Sequence, residues 1–255
     1  MVSAGTGAEL IAPYDPNINN LSESLQPPDK NHWLGTDILG RDILSRLIYG
    51  SRTALLIAVT SACTAGLSGM FLGLVAGYAG GWLSAVIMRM IDALMCFPML
   101  ILALLISLVL GGGIFSVVIA LSISSLAIYA RLMNGLVLGI KEKDYVIAAR
   151  SMGANSFRIL TKHIFPNALP FMIIQIGVHL GSIILAESGL SFLGVGVKPP
   201  DASWGTMIAD GYAYLEMNPV MAIAPGFALM MVAFAFNTVG DALRDIYDPR
   251  LHNAG

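Results

Sequence analysis

The sequence predicts an all-α protein, a polytopic membrane helix bundle, and three observations carry that prediction. Charged residues make up only 12% of the 255-residue chain, about half the roughly 25% usual in a soluble domain. Mean hydropathy is +0.75. Five segments, 53–78, 86–110, 114–137, 168–190 and 219–240, are each apolar over about the 20 residues that a helix needs to cross the hydrocarbon core. A segment in lipid satisfies its own backbone hydrogen bonds only as a helix or in a closed barrel, and runs this long read as helices.

In chain order, residues 1–52 read as an external segment. Their start has neither the basic region nor the apolar stretch of a cleavable signal peptide. Within it, "TDILGRDILSRLIYGSR" predicts an amphipathic interfacial helix over 38–49. Asp37 is its N-cap, Leu39, Ile43, Leu44, Leu47 and Ile48 form its apolar half, and Arg41, Asp42, Ser45 and Arg46 face headgroups or water. The transmembrane domain then covers 53–250, with a cytoplasmic loop at about 139–167 and a cytoplasmic tail at 251–255. The first span places Ala65, Gly69, Gly73 and Gly77 four residues apart, a stripe that lets a second helix approach closely. Pro98 and Pro225 lie within spans and mark either kinks or hinges. The Gly- and Pro-containing stretch 191–219 is too polar to span and too patterned to be unstructured.

Lys and Arg accumulate on the cytoplasmic side of membrane proteins. With 131–162 inside, nine of them lie inside (Arg89, Arg131, Lys141, Lys143, Arg150, Arg158, Lys162, Arg244 and Arg250) and five outside (Lys30, Arg41, Arg46, Arg52 and Lys198). The present amino terminus is therefore external and the carboxyl terminus cytoplasmic. Net charge is only −2, which offers nucleic acid no basic field. Charged and polar groups within spans are candidate functional residues. Arg89 and Asp92, three apart, predict a local ion pair. His179 and Glu187, about 80° apart around a helix, line either a polar pathway or make interhelical hydrogen bonds. Cys63 and Cys96 stand alone in apolar runs, and the four histidines are scattered, so no metal site is expected.

Six Lys or Arg fall from Arg131 to Lys162, around the stretch "DYVIAARSMGANSFRILTKHIFPNALP", residues 144–170. Tyr145, Ala148, Ala149 and Met152 share a face of one short helix, and Gly153 permits a turn. Asn155 caps a second helix whose face is Phe157, Leu160 and Ile164, until Pro166 stops it. The residues alone allow a basic loop that merely fixes topology, or a helix–turn–helix that docks a partner.

The stretch resembles the cytoplasmic coupling loop of binding-protein-dependent ABC importer permeases. Four further stretches resemble the peptide-importer branch in the same order: "HWLGTDILGRDILSRLIYGSRTAL", "RMIDALMCFPMLILALLI", "ESGLSFLGVGVKPPDASWGTMI" and "PGFALMMVAFAFNTVGDALRDIYDPR". The likeness is to the second permease subunit of dipeptide and oligopeptide importers. It implies the ABC importer permease fold, a multi-pass place in the bacterial cytoplasmic membrane, and import of di- or oligopeptides, with nickel or glutathione as alternative cargo. It also implies docking on an ATPase through Ala148, Ala149, Arg150, Gly153, Phe157 and Pro166. The implied partners are a homologous permease subunit, two ATP-binding cassette subunits, an extracytoplasmic substrate-binding protein and membrane lipid. No cofactor is expected in this chain, ATP and Mg being bound by the ATPases. Two departures stand out. Ile147 takes the place where the family commonly has Glu. The family's six-span core carries a helix ahead of "APYDP", about where this chain opens, so either that helix has been lost or five suffice.

No G-x-x-x-x-G-K-[ST] phosphate loop occurs, which excludes the chain as the ATPase itself. An intramembrane hydrolase would need a nucleophile, a base and an oxyanion hole. Ser182 lies three residues from His179, with neither a third group nor a glycine pattern to support it.

Overall fold

The computed structural model describes Ala8 and residues 11–247, with side chains through Ala242. The predicted tail 251–255, and with it the end of the last family-like stretch, lies outside the described residues. Helices dominate: α1 (Ile43–Ala79), α2 (Gly81–Met95), α3 (Met99–Val109), α4 (Ile114–Lys141), α5 (Asp144–Ser151), α6 (Ser156–Phe192), α7 (Trp204–Tyr212) and α8 (Val220–Tyr247). Among the described residues the β content is one isolated bridge, Thr36 to Asp42. α1, α4, α6 and α8 are each long and apolar enough to cross a membrane, and α2 with α3 makes a fifth, bent candidate.

That bend corrects the second predicted span. α2 and α3 meet at 92°, not in one straight helix. The break falls at 96–98 because Pro98 has no N–H to donate and disfavours helical geometry at Phe97. Pro225, by contrast, sits inside α8.

The predicted interfacial helix over 38–49 is likewise replaced. Residues 37–42 form a turn with Gly40 at φ +71°, and α1 starts at Ile43 and runs for 37 residues without interruption. Asp42 caps it, its Oδ2 accepting from the Ser45 amide at 2.7 Å. The polar half that was expected to face headgroups is buried instead, because its charges satisfy one another. Arg41 Nε donates to Asp37 Oδ2 at 2.6 Å, and Arg46 approaches the same oxygen at 3.5 Å. Arg46 Nη1 also donates to the Pro16 carbonyl at 3.1 Å.

The chain divides into two compact units, each drawn from three stretches. In the first (Met1–Thr60, Ala103–Ala120 and Gly181–Ala235), Trp204 at the head of α7 packs against Gly50 of α1 and donates its indole N–H to the Leu47 carbonyl at 2.9 Å. Asn218 reaches back to the carbonyls of Gln26 and Thr36, 3.4 Å to each. The long loop 193–203 is thus tied down, and its patterned sequence ends in α7, capped by Ser203.

In the second unit (Ser61–Leu102, Leu121–Leu180 and Phe236–Gly255), the small-residue stripe of α1 packs on α4. A Cβ at Gly69 would stand 2.7 Å from Tyr129 Cβ, and one at Gly77 2.7 Å from Val137 Cβ. One at Gly73 would run into the Ala130 carbonyl. α2 lays Ile91 against Ala127 and Ala130, and Asp92 pairs across to Arg131 of α4. The expected local pair with Arg89 is therefore corrected: Arg89 stays exposed while Asp92 turns to the neighbouring helix.

α8 is the least covered span. Only 17% of its most apolar window is buried, and Ile223, Phe227, Met230 and Phe234 form an open stripe at helical spacing.

Candidate functional site

α5 carries Asp144 in its first turn and Arg150 in its last, charges of the sign that the helix dipole favours at each end. It ends in a Schellman arrangement: the Ala154 amide donates to the Ala149 carbonyl at 3.1 Å, and the Gly153 amide to the Arg150 carbonyl at 3.0 Å. Gly153 takes φ +84°, which an L side chain rarely adopts. A Cβ there would meet nothing within 4 Å, so the backbone angle and not space demands glycine. Asn155 then caps α6, its Oδ1 accepting from the Arg158 amide at 2.8 Å.

Pro166 does not stop the second helix as expected. α6 continues to Phe192, and the turn before the proline, Leu160–Ile164, is a wide π turn. Such a turn already departs from the regular ladder, so the missing N–H and the ring of Pro166 are accommodated.

Two faces separate on this helix–turn–helix. Val146, Ala149, Ile159 and Ile164 are buried, and Val146, Ile159 and Ile164 join Met133, Val137 and Met172 in one core cluster. Tyr145, Ile147, Ala148, Arg150 and Gly153 are exposed, with Met152 at 82% and Phe157 at 75%. Of the residues singled out from sequence, Ala148, Arg150, Gly153 and Phe157 thus lie on the outward surface. Ala149 is turned inward, and Pro166 is exposed farther along α6. Sequence reasoning missed the anchoring role of Val146. The signal was present in the three-residue spacing from Val146 to Ala149.

The two candidate pathway residues of α6 are both held. His179 Nδ1 lies 3.2 Å from the hydroxyl of buried Tyr129, the rings meeting edge to face at 5.7 Å. Glu187 is fully buried and accepts from Ser191 at 2.8 Å, Ser203 at 3.0 Å and Ser188 at 3.3 Å. Ser203 is also the cap of α7, so Glu187 pins the loop between α6 and α7. Glu187 therefore acts inside this unit as a buried hydrogen-bond acceptor. Among the described residues no three His, Cys, Asp or Glu side chains converge as metal ligands. In α7, burial pushes the Asp210 carboxyl above its ordinary range, while Arg41 and Arg46 pull it back.

Residues 69–253 match the family described as binding-protein-dependent transport system inner membrane component. The chain is 38% identical over 252 residues to the glutathione transport system permease protein GsiD of Pectobacterium atrosepticum, covering 98% of this chain and 84% of that protein. It is 39% identical over 244 residues to the oligopeptide transport system permease protein OppC of Bacillus subtilis, covering 96% and 80%. With the di/tripeptide transport system permease protein DppC of Pseudomonas aeruginosa it shares 40% over 253 residues, 97% and 84% of the two chains. In fold it is similar to a chain of the inward-facing MetNI methionine ABC transporter, with a TM-score of 0.66 at 17% identity over 80% of this chain and 97% of that one.

Proposed function

Since the chain belongs to the family of inner membrane components of binding-protein-dependent transport systems, we propose that it is the second-type permease subunit of an ATP-driven importer of di- or oligopeptides. It spans the bacterial cytoplasmic membrane several times and catalyses no reaction itself. A homologous permease subunit completes the pathway, two ATP-binding cassette subunits below hold ATP and Mg, and an extracytoplasmic binding protein delivers cargo. This chain carries no cofactor. The related GsiD makes glutathione, itself a modified tripeptide, the second cargo to test.

One observation supports this function best: the knob formed by α5, Gly153 and the start of α6. Its inward face is fixed in the core through Val146, Ile159 and Ile164, whereas its outward face shows Met152 and Phe157 almost fully to solvent. Large apolar side chains on a rigid, otherwise basic projection are the pattern of a surface that a partner covers. When the ATPases close on ATP, a knob fixed to its bundle moves as a body and carries the attached spans between inward-open and outward-open states. Transport coupling needs no flexible element within the knob.

The test is a Met152→Asp/Phe157→Asp double variant. Membrane insertion and helicity should be normal, while the ATPase subunit is lost on purification and uptake of a labelled dipeptide into ATP-loaded proteoliposomes falls at least tenfold. Full retention of the ATPase with normal uptake would overturn the assignment.

A further inference from the structure

A groove of about 640 Å³ opens in the second unit beside the last turns of α4. Gly135 and Gly139 lie one turn apart along it, and Leu136 of α4 and Phe171 of α6 stand among its walls. A Cβ at either glycine would meet nothing within 4 Å, so the missing side chains leave open space and not a helix contact. Lys143, Tyr145 and Asn167 gather where α4 gives way to α5. Farther along α4, Arg131 also borders the groove, but it already pairs with Asp92. Lys143 takes part in none of the ion pairs among the described residues. Asn167 donates one amide hydrogen to the His163 carbonyl at 2.6 Å and has a second to give.

We propose that this groove seats an anionic phospholipid, with an acyl chain over Gly135 and Gly139 and the phosphate at Lys143 and Asn167. Between the Arg131–Asp92 pair at one end and the unpaired Lys143 at the other, the lining has the parts that a lipid requires. The middle is apolar and floored by glycine, and the end at the span boundary holds a cation, an amide donor and a tyrosine ring, the aromatic type that settles at headgroup level. Basic pockets between spanning helices on the cytoplasmic side recognise anionic headgroups by this chemistry. A zwitterionic lipid would fill the apolar part equally but gain less from Lys143. Assignment to the cytoplasmic leaflet rests on the proposed docking of the knob on the ATPases, whereas the class of lipid does not.

The experiment counts lipids on the full chain, released from nanodiscs of equal parts phosphatidylglycerol and phosphatidylethanolamine, by native mass spectrometry. It needs no ATPase, so its outcome is independent of whether the knob couples to one. Wild type should retain phosphatidylglycerol in preference to phosphatidylethanolamine. Lys143→Gln should lower that preference about fivefold, the effect of one lysine at a membrane surface. Gly135→Leu/Gly139→Leu, which fills the floor from positions where a Cβ meets nothing within 4 Å, should lower total lipid retention. Arg158→Gln, which removes an exposed cation of α6 that does not line the groove, should leave both unchanged. Equal retention of the two lipids by wild type would overturn the proposal, as would an Arg158→Gln loss matching that of Lys143→Gln. A floor-filled variant that keeps its lipid and instead loses a co-purifying permease subunit would show a helix seat, and would overturn it too.

Discussion

Gly153 and Gly73 are both glycines for reasons that different substitutions separate. At Gly153 the demand is a positive φ in open space. Asn, which tolerates that conformation, should preserve the turn, while Val should cost about 1–2 kcal/mol or shift it. Dipeptide uptake in proteoliposomes should therefore be near normal for Gly153→Asn and sharply reduced for Gly153→Val; equal uptake would remove the turn from the coupling path. At Gly73 the backbone is ordinary and the demand is space, since any Cβ meets the Ala130 carbonyl of α4. Gly73→Ala should destabilise the packing of α1 on α4 by about 1–3 kcal/mol, read as a lower midpoint in a detergent thermal melt. A melt identical to wild type would show that the two helices separate at no cost.

Among the elements, α7 carries a titratable brace. Asp210 is raised by burial, so the folded state binds its proton more tightly than the unfolded chain does. Its contribution to stability is fully present below the unfolded carboxyl value, about 3.9, and is lost as pH rises through the raised folded value. Asp210→Asn cannot titrate. The difference in melting midpoint, variant minus wild type, should grow from pH 4 to pH 7, and a difference that stays flat or shrinks would contradict the raised value. Long apolar runs made α1, α4, α6 and α8 legible in the sequence, as did the glycine at the turn after α5 and the Asn155 cap. Less legible were elements that depend on residues far away in the chain. The polar half of 38–49 reads as solvated until Pro16 and Asp37 come to cover Arg46. Asp92 reads as a partner of Arg89 until α4 brings Arg131 beside it. Pro166 reads as a stop because a π turn leaves no mark in composition. Glu187 reads equally as pathway or strut, and only the fold brings Ser203 to it.

For the molecule as a whole, four of the five predicted spans and their order followed from hydropathy, while what covers its surface depends on neighbours that one sequence does not contain. The open stripe of α8 has a consequence for the life of the protein in the cell. Toward its end the same helix exposes Asn237 and Asp241, one turn apart, and polar groups at or near bilayer depth are costly to leave uncovered. A newly made copy with no second permease subunit would keep that surface open to proteolytic surveillance, and small deficits in stability change abundance several-fold. Synthesised alone, the chain should show a half-life several times shorter in a pulse-chase than when co-expressed with its partner, and Asp241→Leu should lengthen the solitary half-life. Equal half-lives would mean that lipid alone shelters α8. If they differ, turnover of the unpaired copy would set the stoichiometry of the importer without any regulator of transcription.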